Sequence, residues 1–244
     1  MFNKDQYFIV TGASSGIGEG VALLLNAMGA SVIAVARDNT RLSALKEKAQ
    51  FPDNIYLEQR DLTAEIEELP LFVKVLKEKY GKFRGLAYCA GVGKITPLSA
   101  STYAELLHVF AINYFAPILI LKGFLDRRIN VGKGAAAVML SSAAAVLFDR
   151  GHTAYSGSKS ALVASCASIA KEVAPAGIRV NCVLPSDIAT PMTAAMAAFR
   201  DDPAYKYPMG LGEVTDVANI VAFLLSDKAK WISGQNYIVD CASF

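Results

Sequence analysis

The sequence has few of the residues that proteins use to hold metal ions or to form disulfides. Only two histidines occur in 244 residues, and the four cysteines, at positions 89, 166, 182 and 241, show no Cys-x-x-Cys spacing. Zinc sites and disulfide frameworks need such residues in closely spaced sets. We therefore expect no metal site, and we expect the cysteines to be reduced and mostly buried.

Charge of one sign and long apolar runs are also lacking. The 24 Lys and Arg residues nearly balance the 22 Asp and Glu residues, so the composition does not favour a nucleic-acid partner. A membrane span needs about 18 or more apolar residues, and the nearest candidate, 110–121, is shorter and contains Asn113 and Pro117. The N-terminus lacks the apolar region of a signal peptide. We therefore expect no membrane partner and a cytoplasmic location.

Apolar residues, by contrast, make up 53% of the chain and fall into alternating strand-like and helical patterns. The predicted strands are 7–11, 31–36, 54–58, 84–89, 135–141, 178–183 and 236–239. The predicted helices are 17–28, 40–49, 65–79, 102–129, 153–173 and 214–226. This alternation predicts an α/β fold, a Rossmann-like doubly wound sheet of about seven parallel strands with helices on both faces. No linker interrupts it, so we expect residues 1–244 to form a single domain.

A glycine-rich turn follows the first predicted strand. The segment Thr-Gly-Ala-Ser-Ser-Gly-Ile-Gly, residues 11–18, lies between that strand and an apolar helix. Glycines allow a phosphate to approach the backbone, and the N–H groups and dipole of a helix N-terminus favour an anion. A tight turn without a ligand is the alternative. The placement between strand and helix predicts a dinucleotide site at Gly12, Ser14, Ser15, Gly16, Ile17 and Gly18.

A second set of residues predicts acid–base chemistry. Tyr155 and Lys159 lie four residues apart in a predicted helix and so share one face; the alternative is a solvated helix pair. A lysine ammonium beside a phenol lowers the phenol pKa, which makes the tyrosine a candidate general acid or base. Ser142 ends an apolar strand-like run, and its hydroxyl could reach the same reacting oxygen. By strand alternation the neighbouring Ser141 should point the opposite way.

The two motifs together resemble the short-chain dehydrogenase/reductase family, in its compact single-domain branch. The resemblance covers nearly the whole chain and implies a nicotinamide cofactor, with hydride transfer between a carbonyl and an alcohol. The further landmarks that match are Asp61-Leu62, Cys89-Ala90-Gly91, Asn113, Ile178-Arg-Val-Asn181, Pro185, Thr190 and the Gly-Gln-Asn-Tyr-Ile-Val-Asp near the C-terminus.

The resemblance also implies roles for single residues. Tyr155 exchanges the proton, Lys159 stabilises the phenolate and touches the nicotinamide ribose, and Ser142 donates a hydrogen bond to the developing oxyanion. Asn113 contacts the lysine through water, although it could also satisfy freed backbone groups near Pro117. Further cofactor contacts are implied for Asp61, Leu62, Cys89, Ala90, Gly91, Pro185, Ile188 and Thr190, besides Tyr155 and Lys159.

Departures from the family pattern affect loops and leave the catalytic groups intact. Cys89 stands where the family usually has asparagine, and Ala145 and Ser186 stand where it usually has glycine. We expect these changes to alter loop shape and cofactor affinity more than the chemistry.

The residue after the second strand bears on the choice of cofactor. A fold specific for NAD(H) usually has an acidic residue at that strand's end, which binds the ribose 2′-hydroxyl. Here the strand ends at Ala36 and Arg37 follows, and a guanidinium suits a 2′-phosphate. NADP(H) is therefore favoured. NAD(H) is the alternative, because Asp38 could reach the hydroxyl and Arg37 could be a solvated loop charge.

The segment 187–213 should cover the substrate. It is rich in methionine and aromatic residues, which adapt to apolar shapes. We therefore expect a small-molecule carbonyl or alcohol with an apolar part; the alternative is a helix that packs its apolar face on the sheet. The predicted substrate contacts are Ser142, Phe148, Tyr155, Met192 and Met196.

The helix predicted at 153–173 indicates an assembly. Before its last turn it carries one charge, Lys159, and it is otherwise small or apolar on all sides. A helix without a polar face is buried all round. One side should meet the sheet, and the family resemblance implies that the other meets another subunit, so we expect a homodimer or homotetramer.

The favoured function is an NADP(H)-dependent oxidoreductase that interconverts a ketone or aldehyde and an alcohol. A 3-oxoacyl-carrier-protein reductase is one alternative. Arg127, Arg128 and Lys133 are its candidate docking residues, although Ala176 lies where such reductases often carry a basic residue. A non-catalytic nucleotide-binding scaffold or redox sensor is an alternative of another class, which the intact catalytic set disfavours.

Overall fold

The fold is one parallel sheet with helices on both faces. The computed structural model describes residues 2–196, 207 and 209–242. Seven strands pair in the order β3-β2-β1-β4-β5-β6-β7, and every pairing is parallel. The predicted fold class is therefore confirmed. Strands β1 to β7 are Tyr7–Thr11, Ser31–Ala36, Ile55–Gln59, Phe83–Tyr88, Ala136–Leu140, Arg179–Pro185 and Asn236–Val239.

Helices cover both faces of the sheet and bury its apolar residues. In β1, Phe8 and Val10 pack into the core under α1 and α8, whereas Ile9 faces the core under α3, α5 and α6. Burial on both faces explains why these strands are apolar throughout and do not alternate with polar residues. Helices α1 to α8 are Gly16–Ala27, Asn39–Lys48, Leu69–Tyr80, Tyr103–Phe110, Ala116–Leu125, Thr153–Val173, Pro191–Met196 and Val214–Leu225.

The strand order places a binding crevice between β1 and β4. The chain runs outward from β1 through β2 and β3, and then returns to the other side of β1 with β4. At such a reversal the loops at the carboxyl ends of the two neighbouring strands separate in opposite directions. The glycine-rich turn after β1 and the segment after β4 therefore form the two sides of one crevice.

The helix predicted at 102–129 is interrupted and ends earlier than expected. A five-residue π-helical segment, Ala111–Phe115, separates α4 from α5, and α5 ends at Leu125. Pro117 has no N–H to donate to the carbonyl of Asn113, and its ring crowds that carbonyl, so the regular ladder cannot pass this point. The proline, which the sequence displays, thus produces the irregular turn that contains Asn113.

The same stretch contradicts the expectation that no segment could cross a membrane. By length and composition alone, Tyr103–Leu125 is long and apolar enough, with a mean hydropathy of 1.7. Core helices of globular proteins pass the same test. In this fold α5 packs against α3 and the sheet, and its residues Ile120, Leu121 and Phe124 are fully buried in that core. Burial within the fold accounts for the apolar sequence of this part of the stretch.

Candidate active site

A cavity of about 820 Å³ opens at the carboxyl ends of the strands. The loops after β1, β2, β3, β4, β5 and β6 all contribute to its wall. All of the residues predicted to contact the cofactor, from Gly12 to Thr190, line this one cavity, and so do Ser142 and Met192. Side chains far apart in the sequence are therefore brought together where the topology places a ligand site.

The glycine-rich turn is shaped by contacts that leave no room for side chains. Gly12 has a φ of +67°, and a Cβ there would lie 2.8 Å from the Cα of Ala90. A Cβ on Gly18 would lie 2.2 Å from the carbonyl oxygen of Gly12. The turn thus folds tightly on itself and against the segment after β4, which leaves a backbone cradle at the start of α1. Such a cradle fits the pyrophosphate of a dinucleotide.

Thr11 joins the two sides of the crevice, and it was not predicted from the sequence as a site residue. Its Oγ1 accepts hydrogen bonds from the backbone N–H groups of Cys89, at 3.1 Å, and Ala90, at 3.3 Å. Thr11 is fully buried. The only signal in the sequence was a hydroxyl at the end of an apolar strand, and its partner could be found only by knowing that β4 lies beside β1.

The start of α1 keeps its hydroxyl groups available to a ligand. Ser15 precedes the helix in an extended conformation, and its side chain makes no capping hydrogen bond. The first N–H groups of a helix have no partner within the helix. Together with Ser14 on the same wall, this end of α1 offers the donors that a phosphate requires.

At the far end of the cavity, Arg37 and Asp38 play different parts. Arg37 lines the cavity. Asp38 caps α2 by accepting from the N–H of Arg41 at 3.0 Å, and its other oxygen lies 3.4 Å from the Arg41 Nε. The carboxylate that could have held a ribose hydroxyl is therefore engaged with α2.

Arg60 is a second cation on this wall that the sequence reasoning overlooked. It follows β3 and lines the cavity with Arg37. Its guanidinium is held by the Ala64 carbonyl at 3.1 Å and the Glu65 carboxylate at 3.4 Å. The available signal was a basic residue directly after the strand that neighbours β2.

Asp61 and Leu62 lie beside this basic pair and also line the cavity. The Asp61 Oδ1 accepts from the N–H of Thr63 at 2.8 Å and from its hydroxyl at 2.7 Å. The Thr63 N–H lowers the pKa of Asp61 most strongly, burial opposes it, and the Thr63 hydroxyl and Arg37 lower it further. Asp61 is therefore a fixed, ionised acceptor next to the buried side chain of Leu62.

Lys159 projects from α6 into the base of the cavity. It is 4% exposed, and its Nζ donates to the carbonyl of Leu140 at 2.8 Å. Burial lowers the pKa of Lys159 to about 8. Its ammonium is therefore held in an apolar environment by the end of β5, where it can lose its proton more readily than a surface lysine.

Tyr155 lies one helical turn before Lys159, but the expected effect on its pKa is not observed. Burial raises the pKa of Tyr155, a hydrogen bond with Ser142 partly offsets this rise, and the charge of Asp187 adds to it. The Lys159 Nζ is 6.0 Å from the Tyr155 ring centroid and donates to Leu140. The prediction that the lysine lowers this pKa was wrong for the arrangement described, because desolvation is the larger effect and the ammonium is directed elsewhere.

The two serines after β5 point to different partners, as strand alternation predicted. Ser142 accepts from the N–H of Ala144 at 3.2 Å, which caps the short turn Ala143–Ala145, and it also bonds to Tyr155. Ser141 donates to the backbone carbonyl of Lys159 at 3.0 Å. The capping and catalytic interpretations of Ser142 are thus compatible, because the cap fixes a hydroxyl that already contacts Tyr155.

Asn113 lies behind the cavity wall and does not line it. It is fully buried in the π-helical segment, accepts from the N–H of Val92 at 3.0 Å, and donates to the carbonyl of Val92 at 3.0 Å and to Ser158 at 3.2 Å. A Cβ on Gly91 would lie 3.2 Å from the Asn113 Oδ1 and 3.5 Å from the Lys159 Nζ. Asn113 therefore holds the segment after β4 against α6, immediately beside the lysine.

The substrate end of the cavity differs from its prediction. Phe148 is 75% exposed and lies outside the cavity, because the chain after the Ala143–Ala145 turn directs Leu147 inward in its place. Met192 lines the cavity, whereas the side chain of Met196 lies outside the described residues, as do residues 197–206 and 208 of the predicted segment 187–213. The wall also carries polar side chains that were not predicted as individual contacts, among them Asp149, Arg150, His152, Asp187 and Tyr207, of which the last two belong to the predicted segment 187–213.

His152 illustrates this polarity. It ends the loop before α6, and its ring centroid is 6.0 Å from that of Tyr155. The His152 Nδ1 is buried and finds no hydrogen-bond partner within the described part of the chain. A buried polar atom without a partner is costly, so this end of the cavity is suited to a ligand with polar groups as well as an apolar part.

Metal ligands do not gather at the cavity. No group of three or more His, Cys, Asp or Glu side chains suited to a metal occurs within residues 2–196, 207 and 209–242. The acid–base and hydrogen-bonding groups above are therefore the chemistry that the described cavity wall offers.

Comparisons with known proteins find relatives that match nearly the whole chain. A family profile described as enoyl-(acyl carrier protein) reductase matches residues 12–241. An L-xylulose reductase of Caenorhabditis elegans is 35% identical over 251 residues, which cover 97% of this chain and 94% of the relative. A 3-oxoacyl-[acyl-carrier-protein] reductase of Thermotoga maritima is 29% identical, and the match covers 95% of this chain and 95% of the relative.

A solved structure extends the likeness to the whole fold. The short-chain dehydrogenase/reductase of Brucella melitensis, described as a glucose/ribitol dehydrogenase, superposes with a TM-score of 0.91 at 26% identity, and covers 99% of this chain and 98% of its own. The chain belongs to the short-chain dehydrogenase/reductase family. It is accordingly an oxidoreductase of the class that acts on carbonyl and alcohol groups with NAD(P)(H).

Proposed function

We propose that the chain is an NADP(H)-dependent oxidoreductase that interconverts a small ketone or aldehyde and the corresponding alcohol, with Tyr155 as general acid and base. The observation that carries this proposal is the contact of Tyr155 with Ser142 on the same wall as Lys159 and the glycine-rich turn. A proton donor, an oxyanion donor and a dinucleotide cradle then act at one place.

The proposed mechanism divides the reaction between cofactor and chain. When bound, the cofactor supplies or accepts the hydride. In the reductive direction the carbonyl carbon gains that hydride, and the oxygen gains the Tyr155 proton. Ser142 donates a hydrogen bond to the oxygen as negative charge develops on it. Lys159 would hold the nicotinamide ribose beside Tyr155, and Asn113 maintains the backbone that encloses these groups.

The cavity wall offers contacts along the whole cofactor. Gly12, Ser14, Ser15 and the first turn of α1 would hold the pyrophosphate, and Asp61 with Leu62 would hold the adenine. The segment after β6 would contact the nicotinamide end through Pro185, Ile188 and Thr190, all on the cavity wall.

The preference for NADP(H) rests on the different contacts that two neighbouring residues, Arg37 and Asp38, make. Arg37 lines the cavity, whereas Asp38 is bound to the start of α2 and to Arg41. A 2′-phosphate would meet Arg37, with Arg60 on the same wall as further positive charge. The 2′-hydroxyl of NAD(H) would not meet the Asp38 carboxylate, because that carboxylate is bound to the start of α2.

A carrier-protein-bound substrate is the second candidate, and the reductase of Thermotoga maritima supports it. The fold argues against the docking residues considered for it. Arg127, Arg128 and Lys133 lie between the end of α5 and the start of β5, and Arg128 pairs with Asp126 at 2.6 Å. That segment leads into the amino end of β5, so it lies at the end of the strands opposite the cavity. A small free carbonyl therefore fits better.

A redox sensor is less well supported than an enzyme. Burial raises the pKa of the Cys89 thiol to about 12, despite an opposing effect of Lys159. Contact with Cys182 and burial also raise the pKa of the Cys166 thiol well above its usual value. Redox-active cysteines need an accessible thiolate, so these two thiols are poor sensors.

Assembly into a homodimer or homotetramer, in the cytoplasm, is part of the proposal. Exposed apolar side chains on α4 and the segment that follows it include Tyr103, Leu107 and Phe115, beside the nearly uncharged α6. An oligomer would cover them. Sedimentation at micromolar concentration should show a species of at least two chains, and a monomer would contradict this part of the proposal.

The activity is tested by a screen of carbonyls and alcohols with both NADPH/NADP⁺ and NADH/NAD⁺. We expect turnover of at least one uncharged ketone or diol with NADP(H), and loss of that turnover in Tyr155→Phe. Cofactor binding without turnover across the panel would favour the non-catalytic scaffold, and a lower KM for carrier-bound than for free 3-oxo substrates would favour the second candidate.

A further inference from the structure

A carboxylate lies at the substrate end of the cavity, where the family landmarks assign no function. Asp187 follows β6 by two residues and lines the cavity together with Tyr155 and Ser142. It is half-buried. Burial is the larger cause of the raised pKa of Tyr155, and the negative charge of Asp187 adds to it.

The backbone that carries Asp187 is fixed on both sides. Its carbonyl accepts from the N–H of Gly212 at 3.1 Å, and the N–H of Ala189 donates to the carbonyl of Gly212 at 2.8 Å. Ile188 and Gly212 form a parallel β-bridge, and a Cβ on Gly212 would lie 2.6 Å from the Ile188 Cδ1. These backbone hydrogen bonds hold the segment that carries the carboxylate against Gly212.

The side chain of Asp187 is oriented by Tyr207. The Tyr207 hydroxyl donates to the Asp187 Oδ2 and lies 3.4 Å from the Ser186 Oγ, and Tyr207 is only 4% exposed. Tyr207 and Asp187 both line the cavity. The Tyr207 hydroxyl thereby fixes the direction of the carboxylate, a group that can accept more than one hydrogen bond.

We propose that Asp187, oriented by Tyr207, determines substrate class at this site, favouring uncharged carbonyls with a neighbouring hydroxyl and rejecting those with a carboxylate beside the reacting carbon. The inference rests on the proposed function, because it requires a substrate carbonyl at Tyr155. A substrate hydroxyl can donate to Asp187, whereas a substrate carboxylate is repelled in a cavity that screens charge poorly. Hydroxyketones and polyols are therefore the expected class, and 2-oxo acids are excluded from it.

The test uses three four-carbon carbonyls that differ only beside the reacting carbon. These are 1-hydroxybutan-2-one, which offers a hydroxyl, butane-2,3-dione, which offers neither hydroxyl nor charge, and 2-oxobutanoate, which is anionic. In Asp187→Asn the side chain keeps its shape and still accepts from Tyr207. We expect kcat/KM for 2-oxobutanoate to rise about tenfold, that for the hydroxyketone to fall about tenfold, and that for the dione to change less than threefold.

Three further variants separate charge from position. Asp53→Asn removes the same charge from an exposed turn away from the cavity, and it should change none of the three values. Tyr207→Phe keeps the carboxylate but frees it to turn, so discrimination against 2-oxobutanoate should persist while preference for the hydroxyketone declines. Asp149→Asn tests the other acid on the cavity wall and should leave the ratio of hydroxyketone to 2-oxo acid within twofold of the parent.

The outcomes distinguish this inference from the proposed function. If the parent turns over no member of the broader carbonyl and alcohol panel, the proposed function fails, and the inference fails with it. If the parent turns over other members of the panel but neither the hydroxyketone nor the dione, the inference alone is overturned. If the parent reduces the dione but Asp187→Asn changes all three substrates by one factor, Asp187 is only structural and the inference alone is overturned. The inference alone is likewise overturned if Asp149→Asn, and not Asp187→Asn, changes the ratio of kcat/KM for the hydroxyketone to kcat/KM for 2-oxobutanoate.

Discussion

The two ends of the cavity differ in how they are built. At the cofactor end the wall consists mostly of backbone, glycines and strand-end residues, and all of the residues predicted from the sequence line it. At the substrate end the wall consists of side chains from separate loops. There Phe148 lies outside the cavity, Met196 lies beyond the described side chains, and His152 was not predicted. Asp187 and Tyr207 belong to the segment that was expected to cover the substrate, but they were not predicted as individual contacts.

The difference follows from what each end must recognise. A pyrophosphate is bound by backbone N–H groups in the space that glycine residues leave open. A strand followed by a glycine-rich turn and the start of a helix predicts both features from the sequence. A substrate is met by side chains whose direction depends on how loops turn. The comparison therefore predicts that changes at the cofactor end alter affinity for the cofactor, while changes at the substrate end alter turnover and selectivity.

The largest effect should come from Tyr155→Phe, which tests whether the substrate end carries the chemistry. The ring still packs but the proton donor is gone, so turnover should fall about 10²–10⁴-fold. The cofactor dissociation constant, measured by fluorescence titration, should stay within threefold of the parent. Tyr80→Phe, which removes a hydroxyl bound to Glu58 away from the cavity wall, is the control. Turnover within twofold of the parent would refute the assignment of Tyr155.

A somewhat smaller loss is expected for Ser142→Ala, again in turnover and not in cofactor affinity. Removing one oxyanion donor typically costs about 10²–10³-fold in kcat. Single-turnover kinetics would locate the loss in the chemical step. Ser160→Ala removes a hydroxyl bonded at 2.7 Å to the Ala145 carbonyl, near the same turn, and should leave the step unchanged. If Ser142→Ala altered only the cofactor dissociation constant, Ser142 would belong to the cofactor end.

Lys159 lies where the two ends meet, and its burial should cost stability at neutral pH. Burial lowers its pKa from 10.5 to about 8. Below about pH 8 the charged form is disfavoured in the folded state relative to the unfolded one, and the penalty disappears as the pH rises from there to the unfolded value. Lys159→Met should therefore raise the free energy of unfolding by about 3 kcal/mol at pH 7, and by progressively less toward pH 10.5.

Chemical denaturation of parent and variant across pH 7 to 10.5 measures this difference. Lys82→Met, at an exposed position, serves as the control for replacing a lysine by methionine. The same Lys159 variant should lose activity, so that stability and function change in opposite directions. A pH-independent difference for Lys159→Met would show that packing, and not charge burial, sets it.

The smallest effect is expected at the cofactor end, from Arg37→Ala. Loss of a charge-assisted hydrogen bond of about 1.5–3 kcal/mol should weaken NADP(H) by roughly 10- to 100-fold and leave NAD(H) nearly unchanged. Calorimetric titration of both cofactors checks this. Arg41→Ala removes a neighbouring cation that does not line the cavity, and Asp38→Asn keeps the cap of α2. Equal weakening of both cofactors in Arg37→Ala, or a loss of NAD(H) binding in Asp38→Asn, would transfer the role to Asp38.

Element by element, the sequence was most informative where a pattern is local. All seven predicted strands are present within a few residues, because runs that are buried on both faces must be apolar throughout. The helix at 102–129 was less accurate, since the break at Ala111–Phe115 depends on how the chain adapts to Pro117. The water-linked contact of Asn113 with Lys159 stays a prediction, and the described hydrogen bonds of Asn113 go to Val92 and Ser158.

By itself, the sequence determined the order of strands and helices, the glycine-rich cradle and the presence of Ser142, Tyr155 and Lys159 as a set. These follow from short-range rules of periodicity, turn geometry and residue chemistry. Only the tertiary structure decided that Thr11 joins β1 to β4, that Asp38 caps α2 while Arg37 lines the cavity, and that burial outweighs the lysine at Tyr155. Each of these depends on which residues distant in sequence become neighbours, and on how much water they exclude.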